Sequence, residues 1–217
     1  APWDVVAKHQ NHINASIPLP ADLFQPNRLN SNGHNIFVAA DRAPLEEQIA
    51  QYRTHTWQAI PTFASNQAVS VTSPFNTDLK VGEAHWCSVD GALDALAITH
   101  QAFSSWRLTA VEQRAKALQK MADLLEQHEA EFLSLCQREA GKTLHDSIDE
   151  VREAVDFLRY YAVQGLALFG EANLLTGPTG ESNEHYYEGR GVFVCISPWN
   201  FPLAIFLGQV SAALMAG

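Results

Sequence analysis

Val192-Phe193-Val194-Cys195-Ile196-Ser197-Pro198-Trp199-Asn200-Phe201-Pro202 is the stretch whose reading decides the fold. Its first five residues form a continuous apolar run, as in a strand buried on both faces of a parallel sheet. Ser197 and Pro198 break the run. After Pro202 an apolar stretch to Gly217, interrupted by Gly208, Gln209 and Ser211, has the composition of a buried helix. That stretch is shorter than the roughly 20 residues a membrane span needs. Strand, tight loop and helix is the local geometry at which α/β proteins place ligands, at the carboxyl ends of strands. In the loop, Pro198 and Pro202 bracket Asn200 and restrict the backbone around it. A neutral amide held rigidly in an apolar mouth can donate to an oxygen that becomes negative during reaction, a contribution of roughly 2.7–4 kcal/mol per donor. Asn is also a common helix cap, and Asn200 stands just before a helix that could begin at Phe201. Both readings stay open at this level.

Working back from the loop, residues 177–191 form a Gly-rich segment that carries the polar stretch His185-Tyr186-Tyr187-Glu188-Gly189-Arg190 and has room for an edge strand. Residues 144–169 have helical periodicity, with Ile148, Val151, Val155, Leu158 and Ala162 facing inward. Residues 108–140 contain neither Gly nor Pro, which predicts one helix of about 50 Å at 1.5 Å per residue. Its stripe is Val111, Ala115, Leu118, Met121, Leu125, Phe132 and Leu135, and Gly141 stops it. A helix beginning near Asp90 places Ala92, Leu93, Leu96, Ala97, His100 and Phe103 at helical spacing. Earlier still, Val69-Ser70-Val71-Thr72, the turn residues 73–77 and the segment 79–83 read as a β-hairpin. A short helix is expected over 44–59, with Pro44 in its first turn and Pro61 ending it. Residues 1–43, rich in Pro, Asn and Asp, read as a linker or wrapping arm with a helical turn near Asp22. The division expected is an arm over 1–63 and an α/β unit over 64–217.

The chain has 217 residues, of which 47% are hydrophobic and 18% charged. That is ample material for a core and excludes a disordered or low-complexity protein. With 14 Lys and Arg against 24 Asp and Glu, the net charge is −10. An acidic surface repels phosphates, so nucleic acid is not an expected partner. Cys87, Cys136 and Cys195 are odd in number and widely spaced, the pattern of reduced thiols and not of a disulfide framework. Cys136 and Cys195 read as buried core thiols. No amino-terminal segment has the apolar core of a signal peptide. The chain begins at Ala1 and stops at Gly217 directly after the apolar run, which reads as a segment cut at both ends.

Several superficial motifs do not carry function. Gly189-Arg190-Gly191 precedes the strand instead of following it, so it does not make a dinucleotide phosphate turn. Gly141-Lys142-Thr143 resembles the end of a phosphate loop, but Cys136 stands where that motif needs Gly; helix termination explains Gly141 better. His9 and His12 have ligand-like spacing without a Cys or carboxylate constellation, and no metal site is expected. Asn14-Ala15-Ser16 matches a glycosylation sequon, which has no meaning in a cytosolic protein.

The residues 191–202, the apolar helix ending Ala212-Ala213-Leu214-Met215-Ala216-Gly217, Phe103-Ser104-Ser105-Trp106 and Glu139-Ala140-Gly141-Lys142-Thr143 closely resemble the aldehyde dehydrogenase superfamily. More narrowly, residues 150–162 (Glu150-Val151-Arg152-Glu153-Ala154-Val155 and onward) and the arm residues 23–31 resemble the Δ1-pyrroline-5-carboxylate dehydrogenase half of the bifunctional proline-utilisation family. The resemblance implies the amino-terminal part of an aldehyde dehydrogenase fold: a helical layer and the start of a parallel, Rossmann-like sheet, with the cofactor domain incomplete at residue 217. It implies NAD-dependent oxidation of glutamate γ-semialdehyde, the open form of pyrroline-5-carboxylate, to glutamate. In this family a Cys thiolate attacks the carbonyl, an Asn amide and a backbone N–H hold the oxyanion, NAD takes the hydride, and a Glu-activated water hydrolyses the thioester. Asn200 matches the oxyanion Asn; Ile196, Ser197, Pro198 and Trp199 match the loop along the nicotinamide end of the cofactor; Phe201 matches a wall of the aldehyde pocket. None of the three cysteines sits in the nucleophile's motif, so the segment alone is expected to be inactive. FAD belongs only to a separate proline dehydrogenase domain. The implied partners are the remainder of the same polypeptide and, when complete, further copies of it. The implied location is the cytoplasm, with peripheral inner-membrane association open to the full enzyme. A reading of a different class is a non-catalytic interaction or oligomerisation module that kept the helical layer and lost the chemistry.

Overall fold

The computed structural model of the chain describes residues 1–8, 14, 16–63 and 65–217. The expectations for His9 and His12, and for the sequon through Ala15, lie outside the described residues.

The long helix α6 (Leu144–Phe169) is the spine of the fold. Its inward positions Val151, Val155, Leu158 and Ala162 are buried as their spacing requires. Thr143 caps it, accepting from Asp146 N–H at 3.1 Å. The expected single helix over 108–140 is two helices, α4 (Val111–Gln127) and α5 (Glu129–Ala140), jointed at His128 with φ −104° and ψ 19°. Helix-compatible residues allow continuity, but packing decides otherwise. α4 buries Val111, Ala115, Leu118 and Leu125 in a core shared with α6 and with α7 (Ala204–Ala216). α5 buries Leu133 in a second cluster with Leu45, Ile148 and Val151. A straight helix presents one drifting stripe, whereas the joint turns Leu133 and Cys136 inward where the sequence pattern pointed to Leu135. Gly141 then ends α5 at φ 68°, a left-handed position that favours glycine.

A three-stranded sheet lies beside α5. The hairpin read from the sequence is present as antiparallel β2 (Ser65–Ser73) and β3 (Asn76–Cys87), longer than its alternating residues suggest. The third strand, β1 (Trp57–Ala59), pairs parallel with β3. It occupies residues expected to be helical. The helix in that region, α2, instead runs Ala39–Ala50 with Pro44 inside it. Gly82 permits the β1–β3 pairing, because a Cβ there would lie 2.2 Å from the Trp57 carbonyl oxygen. Buried Arg138 of α5 fastens the assembly: Nη1 donates to Tyr52 O (2.8 Å) and His55 O (2.6 Å), and Nη2 to Lys80 O (3.2 Å).

The amino-terminal region contains a short exposed helix, α1 (Pro2–Lys8), and a 3-10 turn at Pro20–Asp22. Residues 28–34 then cross α4, α5 and α6 on a polar seam. Asp156 accepts from Arg28 Nη1 (2.7 Å), Ser31 N (3.1 Å) and Ser31 Oγ (2.8 Å). Glu126 accepts from Asn32 N at 2.9 Å, and His34 Nε2 lies 2.8 Å from Glu129. Helix α3 (Val89–Trp106) starts at Ser88, whose side chain accepts from Gly91 N–H, in place of the expected Asp90. After α6 a small antiparallel hairpin, β4 (Asn173–Leu175) with β5 (Asn183–His185), supplies the strand expected in the Gly-rich segment.

The strand expected over residues 192–196 is absent, and Phe193, Val194 and Ile196 are 60%, 72% and 77% exposed. A parallel strand needs a neighbour for its ladder, and both sheets of the described residues are composed of other segments. No described helix is long and apolar enough to cross a membrane.

Candidate active-site loop

The loop between residue 196 and α7 is held from three sides. At its start, Gln209 of α7 stands in for a strand partner: its Oε1 accepts from Ile196 N–H (2.9 Å) and its Nε2 donates to Ile196 O (2.8 Å). Within the loop, Phe201 N–H donates to Pro198 O (3.1 Å), and Ser197 Oγ reaches Pro202 O at 3.4 Å. At its end, Glu150 of α6 accepts the N–H groups of Leu203 and Ala204 on one oxygen, each at 2.8 Å. Those are orphan donors of α7, so a carboxylate from another helix supplies its cap. The helix-cap reading of Asn200 is therefore not realised: Leu203 is the N-cap residue and Asn200 lies outside it.

Glu150 has no exposed surface, yet it carries a partner for its charge. Its second oxygen lies 2.8 Å from Lys142 Nζ. The same ammonium donates to the backbone carbonyl of Asn200 at 2.8 Å and stands 4.6 Å from the centre of the Phe201 ring. Lys142 follows the glycine that ends α5 and precedes the cap of α6, which puts it at the foot of the loop.

Asn200 and Phe201 point different ways. Phe201 is half-buried and packs on the core shared by α4, α6 and α7. Asn200 is exposed, and its side-chain amide makes no hydrogen bond among the described residues. Pro198 and Trp199 are exposed, Ser197 half-buried. Trp199, Pro202 and Leu203 face Phe132, Cys136 and Glu139 of α5 across a recess of about 170 Å³. Burial pushes the Cys136 thiol up to about 12, and burial also raises the Glu139 carboxyl above its ordinary range. Cys136 is thus inert at neutral pH. Iodoacetamide at pH 7.5 is expected to alkylate exposed Cys87 and leave Cys136 unmodified until the chain unfolds; mass mapping of the labelled native protein checks this, and early Cys136 labelling would contradict it.

Ile196, Pro198 and Trp199 together form an exposed, largely apolar edge of the loop. Among the described residues no group of His, Cys, Asp and Glu side chains could hold a metal ion. The sequence pattern located residues 196–201 but missed Lys142, Glu150 and Gln209. A polar Gln209 inside an apolar helix was the one visible signal.

Helices layered against a small sheet, with a clamped turn leading into an apolar helix, define a fold of mixed helices and sheet. The aldehyde dehydrogenase family model matches residues 62–217, and the chain belongs to that family. It is 36% identical to the bifunctional protein PutA of Klebsiella aerogenes over 93% of this chain and 15% of that protein. A crystal structure of bifunctional proline utilization A superposes with a TM-score of 0.77 at 42% identity, covering 100% of this chain and 19% of the other. A 1-pyrroline-5-carboxylate dehydrogenase from Thermus with bound NAD gives a TM-score of 0.76 at 25% identity, over 95% of this chain and 39% of that one. The chain thus spans a minor part of the length of the proteins it matches.

Proposed function

We propose that this chain is the amino-terminal part of an NAD-dependent dehydrogenase that oxidises glutamate γ-semialdehyde to glutamate in proline breakdown. The reading rests on one observation above others: the main chain at Asn200 is clamped by Lys142 while its side-chain amide stays exposed and, among the described residues, unbonded. Similarity to PutA along the whole chain, arm included, favours this substrate over a general aldehyde.

In the full enzyme a cysteine thiolate outside residues 1–217 adds to the aldehyde carbon, and the carbonyl oxygen gains negative charge. Asn200 Nδ2–H donates to that oxygen, beside a backbone N–H, where a preoriented donor in a dry site is most effective. Ile196, Ser197, Pro198 and Trp199 line the nicotinamide end of the cofactor; NAD, when bound, supplies the hydride acceptor. Phe201, fixed by the core and by Lys142, walls the aldehyde pocket. Water activated by a Glu elsewhere in the enzyme hydrolyses the thioester, releasing glutamate and restoring the thiol. The unpaired thiols Cys87, Cys136 and Cys195 accord with a cytoplasmic setting.

Two assays test this. The full-length enzyme is expected to reduce NAD with glutamate γ-semialdehyde at a kcat/KM well above that for simple alkanals; equal values would remove the assigned substrate. The 217-residue chain alone is expected to form no NADH, because its one buried helix thiol is pushed to about 12 and the others lie outside any nucleophile motif. Turnover by the isolated chain would overturn the placement of the nucleophile elsewhere.

A further inference from the structure

Lys142 is separated from Asn200 by 58 positions in sequence, yet its ammonium makes three contacts there, two on the loop and one on α6. It donates to the Asn200 carbonyl, pairs with Glu150 and faces the Phe201 ring. Glu150 in turn holds the N–H groups of Leu203 and Ala204. One buried ion pair therefore grips the turn at Asn200 and again where α7 begins, and neither grip uses the Asn200 side chain.

Stability is a poor explanation for the pair. A buried ion pair is often no better than well-packed apolar residues of similar volume, because desolvating both charges offsets their attraction. The α7 N-terminus could have been capped locally by a Ser or Asp at position 203, where this chain has Leu. What a local cap could not do is reach back to residue 200. An oxyanion donor is effective only if it is aimed before charge develops, within a few tenths of an ångström.

We propose that Lys142 and Glu150 are positioning residues for Asn200, fixing the main chain on which its amide swings so that the donor is preoriented toward the substrate oxygen. This rests on the oxyanion role proposed for Asn200. The pair touches no reacting atom and acts through the turn.

The test uses the full-length enzyme with glutamate γ-semialdehyde and NAD. It compares Asn200→Ala, Lys142→Met and their combination, with NAD affinity from protein fluorescence and Tm measured alongside. Lys142→Met is expected to lower kcat by about tenfold to a hundredfold, the scale of a small misplacement in a catalytic site, with NAD affinity retained. On the Asn200→Ala background the same change is expected to have an effect of less than about twofold, since there is no amide left to aim. Because Lys142→Met leaves Glu150 buried without its partner, Lys142→Met with Glu150→Gln is made as well. Gln keeps an oxygen for the two N–H groups and carries no charge, and the same kcat loss is expected. A folded variant with unchanged kcat, or a kcat loss that multiplies in full with that of Asn200→Ala, overturns the inference while leaving the role of Asn200 intact. Full turnover by Asn200→Ala itself overturns that role, and this inference with it.

Discussion

Asn200→Ala in the full-length enzyme is expected to cut turnover by about a hundredfold or more and to leave NAD affinity and Tm nearly unchanged. The separation of effects follows from the surroundings of the side chain. It is exposed and makes no hydrogen bond among the described residues, so removing it breaks nothing in the ground-state fold. The main-chain carbonyl bonded to Lys142 survives in Ala. α7 keeps its cap, because Glu150 supplies it. What is lost is a donor that matters only when the carbonyl oxygen gathers charge, and such a loss lowers kcat and kcat/KM together. Steady-state kinetics with an NAD titration decides it. Wild-type turnover would take Asn200 out of the chemistry.

Arg159→Ala is expected to have the largest effect on stability, a loss of about 3 kcal/mol, set at the lower end of the range for breaking a buried ion pair from one side because Arg159 is buried but its partner Glu126 is only partly so. Arg159 is 9% exposed. Its Nη2 reaches Glu126 Oε2 at 2.7 Å and Asp123 Oδ1 at 3.3 Å, while Nη1 donates to Glu126 Oε1 (3.1 Å) and to the carbonyl of Asn30 (3.2 Å). Without it Glu126 stays partly buried and, among the described residues, keeps the Asn32 N–H alone, and Asn30 O loses its donor. Both consequences fall on the crossing of the amino-terminal segment over α4 and α6. Chemical denaturation should therefore show a lower midpoint, and limited proteolysis should cut near residues 28–36 sooner than in the wild type. A loss below about 1 kcal/mol, typical of an exposed pair, would show that the seam is solvated.

Most of the helical layer was legible in the sequence. The inward stripe of α6, its end at Phe169 and the stop at Gly141 follow from periodicity and from a residue that tolerates positive φ, which are local properties. The β2–β3 hairpin was legible for the same reason. The joint at His128 was not, because Gly- and Pro-free sequence is compatible with continuous helix, and only the existence of two separate apolar clusters favours a bend. β1 was missed because three residues gain their strand geometry from β3 and not from their own alternation. The exposed course of residues 192–196 has the opposite origin: an apolar run states that burial is wanted, while a strand forms only where a ladder partner exists.

For the site, sequence by itself determined which residues stand in the loop: an amide between two prolines, followed by an aromatic residue and an apolar helix. Tertiary structure decided which way they face and what holds them. Lys142 reaches the loop from the junction between α5 and α6 and Glu150 from the second turn of α6, across 58 and 53 positions, and Gln209 reaches it from within α7. No local pattern encodes such contacts, because a long-range hydrogen bond depends on where packing of the apolar faces brings distant backbone, and that is a property of the folded chain as a whole.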